Sequence, residues 1–170
     1  ELTQSERLQP SLLDRLTDEE PEQKQEPRSK RVLSPSKLRE SVRRDLAWLF
    51  NTTNAVSGIR ELGDMPLVAQ SVLNYGLPDF TGHTSSTLNV EQFEEQLRTA
   101  IWSFEPRLLR QSVSVKLLLN EKEMSHNALS FTIEAELWAQ PLPLRLFLRT
   151  DVDLETGSVD VADVSNPGSV

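Results

Sequence analysis

The feature that most restricts the fold is a change of hydrophobic period at Pro106. Ahead of it, Phe93, Leu97, Ile101 and Phe104 recur at spacings of four, four and three, the stripe of a helix with one buried face. Behind it, Val113, Val115, Leu117 and Leu119 alternate with Ser112, Ser114 and Lys116. Leu129, Phe131, Ile133, Ala135 and Leu137 then alternate with Ser130, Thr132, Glu134 and Glu136. A period of two is that of a strand buried on one face. The proline sharpens the boundary, because its ring disfavours helical geometry at Glu105.

Each side of the boundary extends the same pattern. After Pro106, Leu144, Leu146 and Leu148 begin a third strand that ends near Asp153, Glu155 to Gly157 turns the chain, and Val159 to Val161 forms a short fourth. Asn120 to Asn127 is a polar loop that joins the first two strands as antiparallel neighbours. Before Pro106, Leu38, Val42, Leu46 and Leu49 or Phe50 share one face of a helix from Ser36 to Phe50, which Ser34 or Ser36 can cap. A second helix is expected from Asp64, as N-cap, to Tyr75, with Val68, Val72 and Tyr75 inward, Gly76 ending it and Pro78 preventing its continuation. The third opens at Asn89, with Gln92 as reciprocal partner and Leu88 stapled to Phe93. Helices first and strands after give an α+β fold: three helices packed on one face of a mainly antiparallel four-stranded sheet, with an N-terminal extension.

That extension differs in composition from the rest. Residues 17–31 hold nine charges, two prolines and no large apolar side chain, too little to offset the entropy of ordering, and read as a flexible linker. Before them Leu8, Leu12, Leu13 and Leu16 form an apolar stripe behind Pro10. Two readings stand: a docking peptide for a partner, or a short helix packed back on its own core. The expected organisation is a docking segment and linker over 1–31, one α+β domain over 32–164, and a tail over 165–170. A chain of 170 residues has the length of one such core.

Charge and residue usage exclude several function classes. A formal charge of −8 repels a phosphate backbone, so nucleic acid is not an expected partner. No cysteine is present, and His83 and His126 lie in polar loops with no ligand pattern, so neither a metal site nor a cysteine nucleophile is expected. Gly76 and Gly82 are not followed by Gly-Lys-Ser/Thr, no phosphate loop exists, and no cofactor is implied. The longest apolar runs fall far short of the roughly 20 residues that span a bilayer, and no signal-peptide core opens the chain. Direct membrane insertion is not expected, and the protein reads as cytoplasmic. Trp48, Trp102 and Trp138 each lie in an apolar periodic segment and suit core or interface positions rather than a ligand cage.

The one constellation at a structural junction is Glu105-Pro106-Arg107. Pro106 ends the helix, and the two charged residues can diverge to different partners or close on a shared one. Five ordered strings surround it: Pro10-Ser-Leu-Leu-Asp-Arg-Leu16; Val42-Arg-Arg-Asp-Leu46 with Leu49-Phe-Asn-Thr52; Ser71-Val-Leu-Asn-Tyr-Gly-Leu-Pro-Asp-Phe80; Phe104-Glu-Pro-Arg-Leu108; and Asp151-Val-Asp-Leu-Glu-Thr-Gly157. In these strings the chain resembles the TssE family of type VI secretion baseplate subunits, related to the lysozyme-like wedge protein of phage tail baseplates. It departs from the pattern at Asn51-Thr52-Thr53, where Asn-Thr-Arg is expected.

The resemblance implies an assembly role. TssE-like proteins sit in the baseplate wedge with TssF and TssG, near TssK, in a baseplate docked on the inner membrane complex. Their sheet is the expected starting point for the sheath proteins TssB and TssC, by strand addition. Glu105, Pro106 and Arg107 take the wedge-binding role, with charge-assisted bonds to neighbouring chains. On that basis Arg107→Ala would leave the monomer's stability little changed. The same fold and role would serve the wedge of a phage or other contractile tail. A lysozyme-like glycoside hydrolase is the remaining alternative. A retaining glycosidase needs two carboxylates about 5 Å apart, and no pattern fixes a second one opposite Glu105. No catalytic residue is therefore assigned, and the protein is not expected to be an enzyme.

Overall fold

The computed structural model describes residues 11–17, 22, 34–81, 89–118, 128–139 and 143–164. Leu8, Leu88, Leu119, His83, His126, the loop from Asn120 to Asn127, nearly all of the 17–31 segment and the tail at 165–170 lie outside the described residues.

Two long helices form where local signals agree. α2, Pro35–Phe50, starts at Ser34, whose hydroxyl accepts the Lys37 N–H at 3.2 Å, with Pro35 in the first turn where its missing N–H costs nothing. Its inward face is Leu38, Val42, Leu46, Leu49 and Phe50, all buried. α5, Val90–Phe104, starts at Asn89, whose side chain accepts the Gln92 N–H at 3.1 Å. It stops at Phe104, one residue short of Glu105, as the pre-proline restriction demands. Phe93, Leu97 and Ile101 point from it into the core, and Phe93 meets Phe131 of the sheet at 4.7 Å between ring centroids.

The strands β1 (Ser114–Leu117), β2 (Ala128–Leu137), β3 (Leu144–Asp153) and β4 (Val159–Asp163) form one antiparallel sheet in the order β1-β2-β3-β4. β2 and β3 pair over ten rungs, from Ala128 opposite Asp153 to Leu137 opposite Leu144. This register lays Leu129, Phe131, Ile133, Ala135 and Leu137 beside Leu146, Leu148 and Val152 on one face, against α2 and α5. The fold is α+β, as the change of period requires. β1 is shorter than its alternation suggests and β4 slightly longer.

The helix expected from Asp64 to Tyr75 is not a single element. α4 (Pro66–Ala69) and a 3-10 turn (Val72–Asn74) replace it, preceded by a short α3 (Ala55–Gly58) and another 3-10 turn (Arg60–Asp64). Side chains that bond locally break it up. Asn54 caps α3, the Ser71 hydroxyl accepts the Leu73 N–H at 3.2 Å, and the Asn74 carboxamide accepts Val56 N–H at 3.0 Å and donates to the Ala69 carbonyl at 2.9 Å. Asp64 does not act as the cap, and Val72, expected inward, is exposed.

Gly76 serves a closer purpose than ending a helix. At its φ of 120° a Cβ would lie 2.2 Å from the Thr52 carbonyl oxygen. The glycine lets the chain run against the end of α2, where Leu77 N–H donates to Thr52 and Asn54 N–H to Leu77, each at 2.8 Å. Leu77 enters the core there.

Candidate functional site

Pro106 determines where the junction residues go. Once α5 ends, the chain turns and joins the end of β2: the Trp138 N–H donates to the Arg107 carbonyl at 2.7 Å, and the Leu109 N–H to the Glu136 carbonyl at 2.9 Å. With its backbone fixed to the sheet, Arg107 extends its side chain back across α2.

Of the two arrangements open to Glu105 and Arg107, the structure takes closure. Glu105 is 4% exposed, and both its oxygens accept from Arg107: Oε1 from Nε at 2.7 Å and from the backbone N–H at 3.1 Å, Oε2 from the second terminal nitrogen. That nitrogen also donates to Asp45 Oδ2 at 2.6 Å, and the other terminal nitrogen donates to Ser41 at 3.1 Å. Burial works against the charge of Arg107, but Glu105 and Asp45 more than offset it and raise its pKa. Four of its five donors are engaged within the described residues.

The network continues to the N-terminus. Arg44 forks onto Asp45 Oδ1 at 2.9 and 2.8 Å and reaches Asp14 Oδ1 at 2.7 Å. Ser41 donates to Asp14 Oδ2 at 2.9 Å. Asp14 belongs to α1, Leu12–Leu16, where it closes a capping box with Ser11. Burial pushes the Asp14 carboxyl up, but the bonds from Ser11, Arg44 and Ser41 together outweigh it and hold its pKa at about 2. Three carboxylates and two guanidiniums therefore form one linked set that ties α1, α2 and the end of α5 together.

Beside this set lies an open groove of about 390 Å³ with apolar walls from Leu13, Trp48, Tyr75, Phe104 and Pro106, and Arg107 at its polar end. Tyr75 and Phe104 meet edge to face at 5.2 Å. Trp48, Trp102 and Trp138 are all outside the core, so of the two settings expected for them only the exposed one applies.

The model of the family described as baseplate wedge protein gp25 matches residues 36–142, from the first turn of α2 to just before β3. The chain belongs to the baseplate wedge protein gp25 family. No curated protein and no solved structure matches it. The matched span of this gp25-family chain holds Ser41, Arg44, Asp45, Glu105 and Arg107, so most of the network lies inside the family's own region, and a role in a contractile-tail baseplate follows. Asp14 lies outside it.

The structure brings Glu105, Pro106 and Arg107 together with Leu13 of the N-terminal stripe, while Leu12 and Leu16 face away from the body at 71% and 74% exposure. Sequence reasoning missed Ser41, Arg44, Asp45 and Asp14. One signal was available: Ser41 is a small polar residue on the buried side of α2, four residues before Asp45 and next to the apolar Val42. Among the described residues no helix is long and apolar enough to cross a membrane.

Proposed function

We propose that this chain is a TssE-type subunit of a type VI secretion baseplate wedge, and that it starts polymerisation of the contractile sheath by offering the outer edge of β1 to a sheath strand. The observation that carries this reading is the contrast between the two edges of the sheet. Along β4, α2 supplies the missing neighbour: the Asn51 carboxamide accepts the Val159 N–H at 2.9 Å and donates to the Val159 carbonyl at 2.7 Å, and Arg43 donates to the Val161 carbonyl at 2.9 Å. A side-chain amide here does the work of a strand.

The β1 edge lies beside α5 and Val115 is buried, but its backbone is bonded less completely than that of β4. Ser114 and Lys116 face β2, so Val115 and Leu117 turn their N–H and C=O groups outward. Glu94 of α5 accepts the Leu117 N–H at 2.8 Å, but among the described residues nothing bonds the N–H or C=O of Val115. Unpaired backbone groups on an edge strand are a template for another chain.

In this reading TssF and TssG meet the groove at Arg107, TssK lies nearby, and TssB and TssC continue the sheet. The subunit works in the cytoplasm, in a baseplate docked on the inner membrane complex. It performs no catalysis, because both Glu105 oxygens are committed to positioning Arg107. The family match supports the wedge of a phage or other contractile tail equally well, and co-purification of TssF and TssG from the native host separates the two.

Val115→Pro tests the edge. It removes an outward donor without touching the β1–β2 ladder. Purified TssB and TssC should then fail to polymerise from wedges that carry the variant, while TssF and TssG are still retained. Full-length sheaths from such wedges would refute addition at β1.

A further inference from the structure

We infer that α1 is a docking peptide presented in advance by its polar edge, and that it inserts Leu12 and Leu16 into an apolar groove with a basic rim on the wedge partner. This rests on the reading that the Arg107 groove faces that partner. A helix of five residues cannot hold itself in water. What fixes α1 is Asp14, bonded to Ser11 within the helix and to Ser41 and Arg44 on α2. The usual arrangement of an amphipathic helix is therefore inverted: the carboxylate faces the body, and Leu12 and Leu16 face outward.

Charge and position indicate the occupant. Residues 1–22 carry seven carboxylates and two arginines, and Arg44 already neutralises Asp14, so a complementary groove needs a basic rim. A second copy of this chain fits poorly, since each copy carries −8. The surface of α1 is continuous with the Arg107 groove, whose wall includes Leu13, so a partner seated at Arg107 already lies beside the leucines. Finally, α1 lies outside the span 36–142 that the family model matches, so the family assignment does not itself account for it.

The test uses the full chain and purified TssF–TssG complex. Leu12→Ser/Leu16→Ser should weaken binding about tenfold without moving the melting temperature. Asp14→Asn, which keeps the leucines but frees the helix, should weaken it only about threefold, because the helix must then be ordered on binding. Wild-type affinity should fall as salt rises from about 50 to 300 mM, where screening shortens to within one side-chain length.

Wild-type affinity for the leucine double variant, or a lowered melting temperature, would overturn docking through α1, the latter because the leucines would then pack within the chain. Salt-independent binding would overturn the basic rim. Arg107→Lys separates the two ideas: unchanged binding with loss in the leucine variant removes the role of Arg107 and leaves α1 standing, and the reverse removes α1 alone. If wild type does not bind the complex at all, both fall. Concentration-dependent dimers in sedimentation that the leucine variant abolishes would assign the face to a second copy and overturn the inference.

Discussion

At the Arg107 corner three carboxylates and two guanidiniums satisfy one another, whereas on the outer edge of β1 the N–H and C=O of Val115 have no hydrogen-bond partner among the described residues. Both regions lie at the same end of the sequence signal, a few residues either side of Leu109, and both are read as contacts. Their chemistry differs in timing. The corner is complete before any partner arrives, so a partner meets a fixed shape in which Arg107 keeps one donor without a bond among the described residues. The edge is completed only by the partner. Damage to the corner should therefore appear first as lost stability, and damage to the edge as lost assembly.

The strongest way to break this contrast is Arg107→Ala. It strands a carboxylate that is 4% exposed, and the variant should lose about 3 kcal/mol in urea unfolding. That is opposite to what the family resemblance alone implies, and a stability equal to wild type would mean that the corner is not finished in the free chain. Asn51→Ala comes next. With the Val159 N–H and carbonyl left without partners, we expect a loss of about 1–2 kcal/mol and a second open edge, visible as faster amide exchange at Val159.

Val115→Pro should cost the monomer less than Arg107→Ala, because proline keeps an apolar side chain at this buried site and the N–H it removes has no described partner. A loss as large as that of Arg107→Ala would show that the edge is already in use within the chain. The smallest effect is expected at Asp14. Its folded pKa, held at about 2, lies below its ordinary value of 3.8, so its contribution is present above that ordinary value and is lost as pH falls through about 2. The Leu13 methyl signals in NMR should report release of α1 in that acidic window. In Asp14→Asn they should show α1 already loosened at neutral pH.

What the sequence made legible is what neighbouring residues decide. Ser34 and Asn89 cap the helices they precede, Pro106 places the last residue of α5, and the alternation around Ile133 fixes which face of β2 is buried. The stretch from Asp64 to Tyr75 was misread because Val68, Val72 and Tyr75 mimic a helical stripe. There Ser71 and Asn74 offer the backbone shorter-range bonds that interrupt the ladder. Glu105 and Arg107 were visible as a pair because they are adjacent. Their partners Ser41 and Asp45 lie 66 and 62 residues away from Arg107, a distance across which no local pattern reaches. Asp14 and Asp45 stood in the strings that carried the resemblance, but nothing nearby in the chain indicated what they hold.

The seam between α2 and β4 has a consequence for how this protein is made. Asn51 waits for Val159, 108 residues later, and Arg43 for Val161, 118 residues later. While the chain is still emerging from the ribosome, α2 can form, but the long β2–β3 ribbon has an uncovered flank until Val159 to Val161 are synthesised. Contacts so distant in sequence slow folding and leave edge strands exposed meanwhile. A nascent chain that stalled before Val159 would therefore display two open edges instead of one. It would also carry a template for strand addition on the side that the finished subunit keeps shut.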